Sequence, residues 1–232
     1  MTYDAISLDF YGTLVEEDHA ALTSVAQTIA QRAASSTDIP QIMSQWSHLF
    51  SAACADSHGP SFRTQKQLEL DSLSALLAEH GIDADAHELS AEVFRYWSAP
   101  SPFPDAIEFL AKCPIPVFVV SNIDDEFIFA AIAAIGWEFP QVVTSEMAKS
   151  YKPRREIFDL ALARTKLSPR QILHVGDSYT SDVTGAANVG IDTAWMNRLH
   201  KSPNADASVA TRTISSFHDL LPLLIQETKT ER

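Results

Sequence analysis

The sequence is poor in several things. Its two cysteines, Cys54 and Cys113, among 232 residues make no disulfide framework and fit a reduced cytoplasm. Seven glycines and twelve prolines are too few for a collagen-like or low-complexity chain. No apolar run reaches the roughly 18 residues that a membrane span needs. The start, Met1 to Asp4, lacks the basic residues and long apolar core of a signal peptide, so the expectation is a cytoplasmic protein. Basic residues are scarce as well: 17 against 30 acidic ones leave a net charge of −13. Such a surface repels nucleic-acid backbones and anionic membranes, so neither is an expected partner. Taken alone, the charge also speaks against a phosphorylated substrate.

What is present is ample core, with 46% hydrophobic and 20% charged residues. Tyr3 to Phe10 is a short apolar run that carries Asp9 near its end and reads as a buried strand delivering a carboxylate to a loop. From Glu16 to about Pro100 helical spacing takes over. Leu22, Val25 and Ile29 form one stripe, Ile42, Trp46, Leu49 and Phe50 a second, and Leu70, Leu73, Leu76 and Leu77 a third. Pro40, Gly59-Pro60 and Gly81 separate them, which predicts about four helices and no strand. The Pro100–Pro104 stretch reads as a linker or hinge. Beyond it strands and helices alternate: strands at 115–120, 142–144, 172–175 and 193–196, helices at 127–135, 157–163, 181–189 and 217–226.

Alternation of this kind means a parallel sheet covered on both faces. The predicted fold is therefore α/β, a doubly wound parallel sheet (a Rossmann-like core, residues 1–15 and 101–232) interrupted after its first strand by a helical domain, residues 16–100. Ligands of such sheets bind beyond the carboxyl ends of the strands. That rule selects Asp9, Ser121-Asn122 and Gly176-Asp177. Asp9, Asp177 and Asp182 would then gather near one point. Two unit charges about 4 Å apart repel by about 4 kcal/mol at an effective dielectric of about 20. The cluster needs a cation or protons, and hard oxygen ligands without thiolates favour Mg²⁺. Ser121 and Lys152 add a hydroxyl and a positive charge suited to an anionic group held beside a carboxylate nucleophile. Each residue alone also has an ordinary reading: an Asp after a strand is often a helix cap, Ser-Asn is turn chemistry, and a lone lysine is often exposed. Their common position at strand ends is what carries the case.

In this order and spacing the motifs resemble those of the haloacid dehalogenase (HAD) superfamily of hydrolases. Asp9-Phe10-Tyr11-Gly12-Thr13-Leu14 resembles its first motif, Ser121-Asn122 the second, Lys152-Pro153 the third, and Gly176-Asp177-Ser178 with Asp182 the fourth. The resemblance spans essentially the whole chain and is closest to the dehalogenase-like branch, whose first motif often reads D-x-Y-G-T-L. It implies that Asp9 is the nucleophile of a covalent aspartyl intermediate. It further implies that Ser121, the Asn122 backbone and Thr13 hold the anionic group, and that Lys152 neutralises charge. Asp9, Asp177 and the Tyr11 carbonyl would bind Mg²⁺, and Asp182 would orient a metal water or Lys152. The helical insert would be a mobile cap that sets specificity.

Two departures point in opposite directions. Superfamily phosphatases usually carry a second Asp two residues after the nucleophile as general acid, worth about 10²–10⁴-fold. Here that residue is Tyr11, as in dehalogenases, leaving Tyr11 itself, His19 or a good leaving group to fill the gap, or leaving Tyr11 as a cap contact. The acidic fourth motif, in contrast, is a metal-site pattern that the metal-independent dehalogenases usually lack. Dehalogenases also place an Arg early in the cap for the halide, and Arg32 and Arg63 are the candidates. His174, Trp195, Asn197 and Arg198 read as packing residues, and Trp97 and Phe103 as anchors of the cap.

The expectation is a Mg²⁺-dependent phosphatase of a small anionic metabolite. The rivals are a metal-independent 2-haloacid dehalogenase-type hydrolase and a binding protein that has lost turnover. Twelve acidic and four basic residues between Glu16 and Arg95 put −8 of the −13 in the insert. The charge thus argues against polyanions but not against one small anion at a Mg²⁺ site.

Overall fold

The computed structural model describes residues 3–33, 38–202 and 209–230, with side chains as far as residue 224. The apolar run at the start becomes β1 (Ala5–Leu8), shorter than the expected strand. Four helices follow: α1 (His19–Arg32), α2 (Ile39–Asp56), α3 (Gln65–Glu79) and α4 (Ala86–Ser98). The starts of α2, α3 and α4 are written in the sequence. Asp38 and Asp85 accept from the backbone N–H groups of Gln41 and His87, and Thr64 forms a capping box with Gln67.

Next come α5 (Pro104–Lys112), β2 (Val117–Ser121), α6 (Asp125–Ile135), β3 (Val142–Thr144), α7 (Ser145–Ala148) and α8 (Arg155–Thr165). The chain closes with β4 (Ile172–Gly176), α9 (Gly185–Ala187), β5 (Asp192–Met196), β6 (Arg212–Ile214) and α10 (Phe217–Thr230). Among the described residues the six strands form one sheet in the order β3-β2-β1-β4-β5-β6, and every neighbouring pair is parallel. The predicted α/β, doubly wound parallel sheet is the observed fold. Its order reverses between β1 and β4, which is where such sheets bind ligands.

Alternation along the strands separates two cores. Ile6, Leu8 and Val119 face a cluster that continues into Val25, Ile29, Trp46 and Leu73 of the insert. Ala5, Phe118 and Val120 face the other cluster, built with Ile157 and Phe158 of α8. The insert is therefore bound to the sheet layer by apolar burial, and Phe94 and Trp97 of α4 pack on Phe127 of α6 at 5.6 and 5.2 Å between ring centroids.

The proline-rich stretch at 100–104 is one half of a double connector. Val15 bridges Pro102 in antiparallel sense, Glu16 N–H donates to the Ser101 carbonyl at 2.9 Å, and Phe103 N–H donates to the Leu14 carbonyl at 3.0 Å. Strand β6 and the short helix α7 add to the expected elements, and two further places depart from expectation. Helix α5 begins at Pro104, inside what reads as a linker, because proline suits the first turn of a helix and Ala106 and Phe109 give it a buried stripe. The helix expected at 181–189 is instead a π-helical turn, Tyr179–Thr184, running into the three residues of α9. Its widening follows from Val183 N–H donating five residues back to Ser178, which swings Asp182 under the end of β4.

Candidate active site

Three neighbouring strands, β2, β1 and β4, end side by side and deliver Ser121, Asp9 and Asp177 to one place. Asp9 is fixed by its own N–H, which donates to the Val175 carbonyl at 2.9 Å. Oxygens of Asp9, Asp177 and Asp182 lie within 4.8 Å of one another. Two glycines make this possible. A side chain at Gly12, whose φ is +82°, would sit 2.7 Å from an Asp177 oxygen, and one at Gly176 would sit 2.2 Å from the Asp182 carboxyl carbon.

Lys152 reaches into the cluster from the segment between α7 and α8. Its Nζ donates to Asp9 Oδ1 at 2.7 Å, Asp182 Oδ1 at 2.5 Å and the Val120 carbonyl at 3.0 Å. Burial works against the ammonium charge, but Asp182 and Asp9 outweigh it and hold the Lys152 pKa above its ordinary value. Burial likewise opposes the charge of Asp182, and Lys152 and His174 overcome it, keeping this carboxyl well below the usual carboxylate range. Burial raises the Asp9 carboxyl, with Lys152 pulling the other way.

Asp182 is saturated by the protein: Oδ1 takes Lys152 and His174 Nε2, and Oδ2 takes the Ser178 N–H at 3.0 Å. His174, which reads as a packing residue in the sequence, is fully buried and joins Ser7 Oγ at 2.8 Å to Asp182. With Ser7 donating to Nδ1 and the Nε2–H donating to Asp182, both ring nitrogens are satisfied. A histidine inside an otherwise apolar buried strand was the available signal. Asp177 has weaker company, a neutral donor from Thr13 at 3.2 Å. Its carboxyl is pushed up to about 8, first by burial and then by the charges of Asp9 and Asp182. Trp195 donates to the Asp177 carbonyl at 2.8 Å, so it too positions this loop.

A cavity of about 540 Å³ opens above the cluster and is lined by Asp9, Tyr11, Ser121, Asn122, Lys152, Asp177 and Asp182 of the expected set. Thr13 is not in its wall, being fully buried with its hydroxyl on Asp177. The Asn122 side chain is spent on Lys152, accepting from its N–H at 2.7 Å and donating to its carbonyl at 3.1 Å. Tyr11 donates its phenol proton to the Trp97 carbonyl of α4, and burial, followed by the charge of Asp18, raises its pKa. Of the two Tyr11 readings, the cap contact is the one seen.

His19 is exposed and borders a smaller neighbouring cavity. Arg32 is exposed and Arg63 pairs with Asp71, and neither lines the 540 Å³ cavity. Its wall toward the insert carries Trp46 and Trp97, which the sequence reads as a stripe residue and a cap anchor, and Asp18 and Glu69, which sequence reasoning passes over. Trp97 Nε1 donates to Asp18 at 2.7 Å. Glu69 had left a trace, as a charge on the same helical stripe as Leu73 and Leu76.

Known proteins resemble this chain in sequence and in fold. A stretch of 87 residues is 38% identical to pyrimidine 5'-nucleotidase YjjG of Escherichia coli, covering 37% of this chain and 38% of that protein. The chain thus spans under two fifths of that relative's length. The (S)-2-haloacid dehalogenase H-109 of Pseudomonas putida is 27% identical over 186 residues, which are 69% of this chain and 81% of the dehalogenase. The solved structure of the putative HAD-hydrolase YfnB of Bacillus subtilis, bound to magnesium, superposes with a TM-score of 0.77 at 21% identity, over 97% of this chain and 100% of that one. Residues 3–190, which run from β1 through the insert to the acidic cluster after β4, match the haloacid dehalogenase-like hydrolases. The chain belongs to that family of hydrolases.

Proposed function

We propose that this hydrolase is a Mg²⁺-dependent phosphatase of a small phosphomonoester, with Asp9 as nucleophile. The observation that carries the reading is the charge imbalance around Asp177. Among the described residues Lys152 is the single cation in the cavity wall and is divided between Asp9 and Asp182, while Asp177 is left with a hydroxyl and a pKa of about 8. The donor set is all oxygen, which suits a hard divalent cation. Asp9, Asp177 and the Tyr11 carbonyl would hold it, and Asp182, with both oxygens bonded, would not. A bound Mg²⁺ would supply positive charge to the phosphoryl oxygens and relieve the repulsion among the carboxylates.

The chain's own residues account for the rest. Asp9 attacks phosphorus and the ester P–O bond breaks, leaving an aspartyl phosphate. Lys152 holds negative charge on Asp9 and on the transferring group, and Ser121 donates to a phosphoryl oxygen. The leaving oxygen takes its proton from water, since the Tyr11 phenol is committed to Trp97. Water then attacks phosphorus, the Asp9–phosphorus bond breaks, and phosphate leaves with the carboxylate restored. The helical insert acts as the cap, turning about the paired connector at Val15 and Pro102.

A second reading has its own support. Tyr11 and the resemblance to haloacid dehalogenases favour attack of Asp9 on a carbon that loses halide, with hydrolysis of the resulting ester. A haloacid must, however, bring its carboxylate into a cavity whose wall, among the described residues, has one cation and no arginine. Parallel panels of phosphoesters and 2-haloacids, each with Mg²⁺ or with excess EDTA, separate the two. The proposal expects Mg²⁺-stimulated phosphate release that is lost in Asp9→Asn. Halide release that survives EDTA, with no phosphate release, would replace it by the second reading.

A further inference from the structure

The cap side of the cavity has an electrostatic character that phosphate chemistry does not require. Glu17, Asp18 and Glu69 line it in addition to the three carboxylates of the catalytic cluster, with Lys152 as the only cation among the described residues. Even a divalent ion added to Lys152 leaves the acids in excess. A second anionic group on the substrate would therefore meet unrelieved repulsion there.

One of these acids is built in at a cost. Glu69, one of the residues lining the cavity, lies on the buried face of α3, 4% exposed, and its Oε1 is buried without a hydrogen-bond partner among the described residues. A buried carboxyl oxygen left unpaired is costly, so a donor brought beside it by a substrate would be favoured. Asp18 lines the same wall and its charge acts on Glu69, and Trp46 and Trp97 line the cavity with them. With nothing bound, burial keeps the proton on Glu69 up to about pH 8, and a cation seated beside it would favour the ionised form; the donor that suits such an unpaired carboxyl oxygen among other acids is a protonated amine.

Resting on the phosphatase reading, we propose that the leaving group of the substrate carries a protonated amine that binds Glu69, so that the substrate is the phosphomonoester of an amino alcohol. The phosphoryl end lies on Lys152 and Ser121, and the ammonium end under α3. The acidic surplus of the insert is then a selection device, admitting one phosphoryl group and rejecting substrates with a second negative end.

The test compares two esters of equal length, 2-aminoethyl phosphate and its neutral counterpart propyl phosphate, with p-nitrophenyl phosphate as reference. Wild-type kcat/KM is expected to favour the amine by at least about tenfold, the scale of one charge-assisted hydrogen bond. In Glu69→Gln that ratio should fall toward unity through KM for the amine. Equal use of the two esters by the wild type, or a ratio unchanged in Glu69→Gln, overturns the amine site while leaving phosphatase activity standing. Absence of phosphate release from all three esters is instead the failure of the phosphatase reading. Thermal shifts with the two alkyl phosphates then decide the amine site independently, because it requires the larger shift from the amine in the wild type and its loss in Glu69→Gln.

Discussion

The phenol of Tyr11, two residues from the nucleophile, donates its proton to the backbone carbonyl of Trp97 on the last helix of the insert. The hydroxyl at the place where a phosphatase's acid is expected is thereby occupied in holding insert to core. Burial raises its pKa further, so it stays protonated and stays on that carbonyl.

Tyr11→Phe tests this directly. Removing a positioned general acid costs about 10²–10⁴-fold in turnover. Removing a bridging hydrogen bond and stranding its acceptor costs about 1–3 kcal/mol of stability. The expected outcome is a lower denaturation midpoint in urea, with kcat within a few-fold of wild type. A drop of a hundredfold or more in kcat, with stability unchanged, would return Tyr11 to the role of acid.

Lys152 is the second pressure point, because it is the protein's own answer to the carboxylate cluster. It is 4% exposed, and its two partners lie at 2.7 and 2.5 Å. Lys152→Met keeps the volume but leaves Asp9 and Asp182 buried without it. Losing one partner of a buried ion pair costs roughly 3–5 kcal/mol. Equilibrium denaturation of Lys152→Met should show a loss on that scale, part of it recovered in the double variant Lys152→Met, Asp182→Asn. A loss under about 1 kcal/mol would mean that water already shields the cluster.

Positions along the strands were readable because a parallel sheet places every strand end on one edge. Knowing that Asp9, Ser121 and Asp177 follow strands was enough to bring them together, and the order of the motifs then supplied Lys152 and Asp182. Where a side chain points within its loop was not readable. Thr13 sits in the expected loop, yet its hydroxyl bonds Asp177, because loops that approach each other there need their own donors and acceptors met first. The π turn was invisible for a related reason: residues 181–189 have ordinary helical content, and the widening lies in the Val183 N–H bond to the Ser178 carbonyl, which no residue type announces. Helix α5 escaped because its first residue is the last proline of a cluster that reads as a linker.

Glu69 makes the pH dependence of stability a separate measurement. Burial, followed by the charge of Asp18, pushes its carboxyl from an ordinary 4.5 up to about 8. The folded protein therefore keeps the Glu69 proton over a range in which the unfolded chain has lost it. Below about pH 4.5 both states are protonated and Glu69 makes no difference; between about 4.5 and 8 stability falls as pH rises; above about 8 both are ionised and the loss levels off. The slope for one proton is at most about 1.4 kcal/mol per pH unit. Asp124, raised to about 6, and Asp177, raised to about 8, bend the wild-type curve in the same direction, so Glu69 is read from a difference. Glu69→Gln removes one titrating proton and keeps the shape. Its unfolding free energy should run close to that of the wild type near pH 5 and exceed it increasingly toward pH 8, by about 1–3 kcal/mol at the upper end. Parallel curves from pH 5 to 8 would mean that Glu69 is solvated in the folded protein, and that its buried, unpaired carboxyl is not a feature of the molecule in solution.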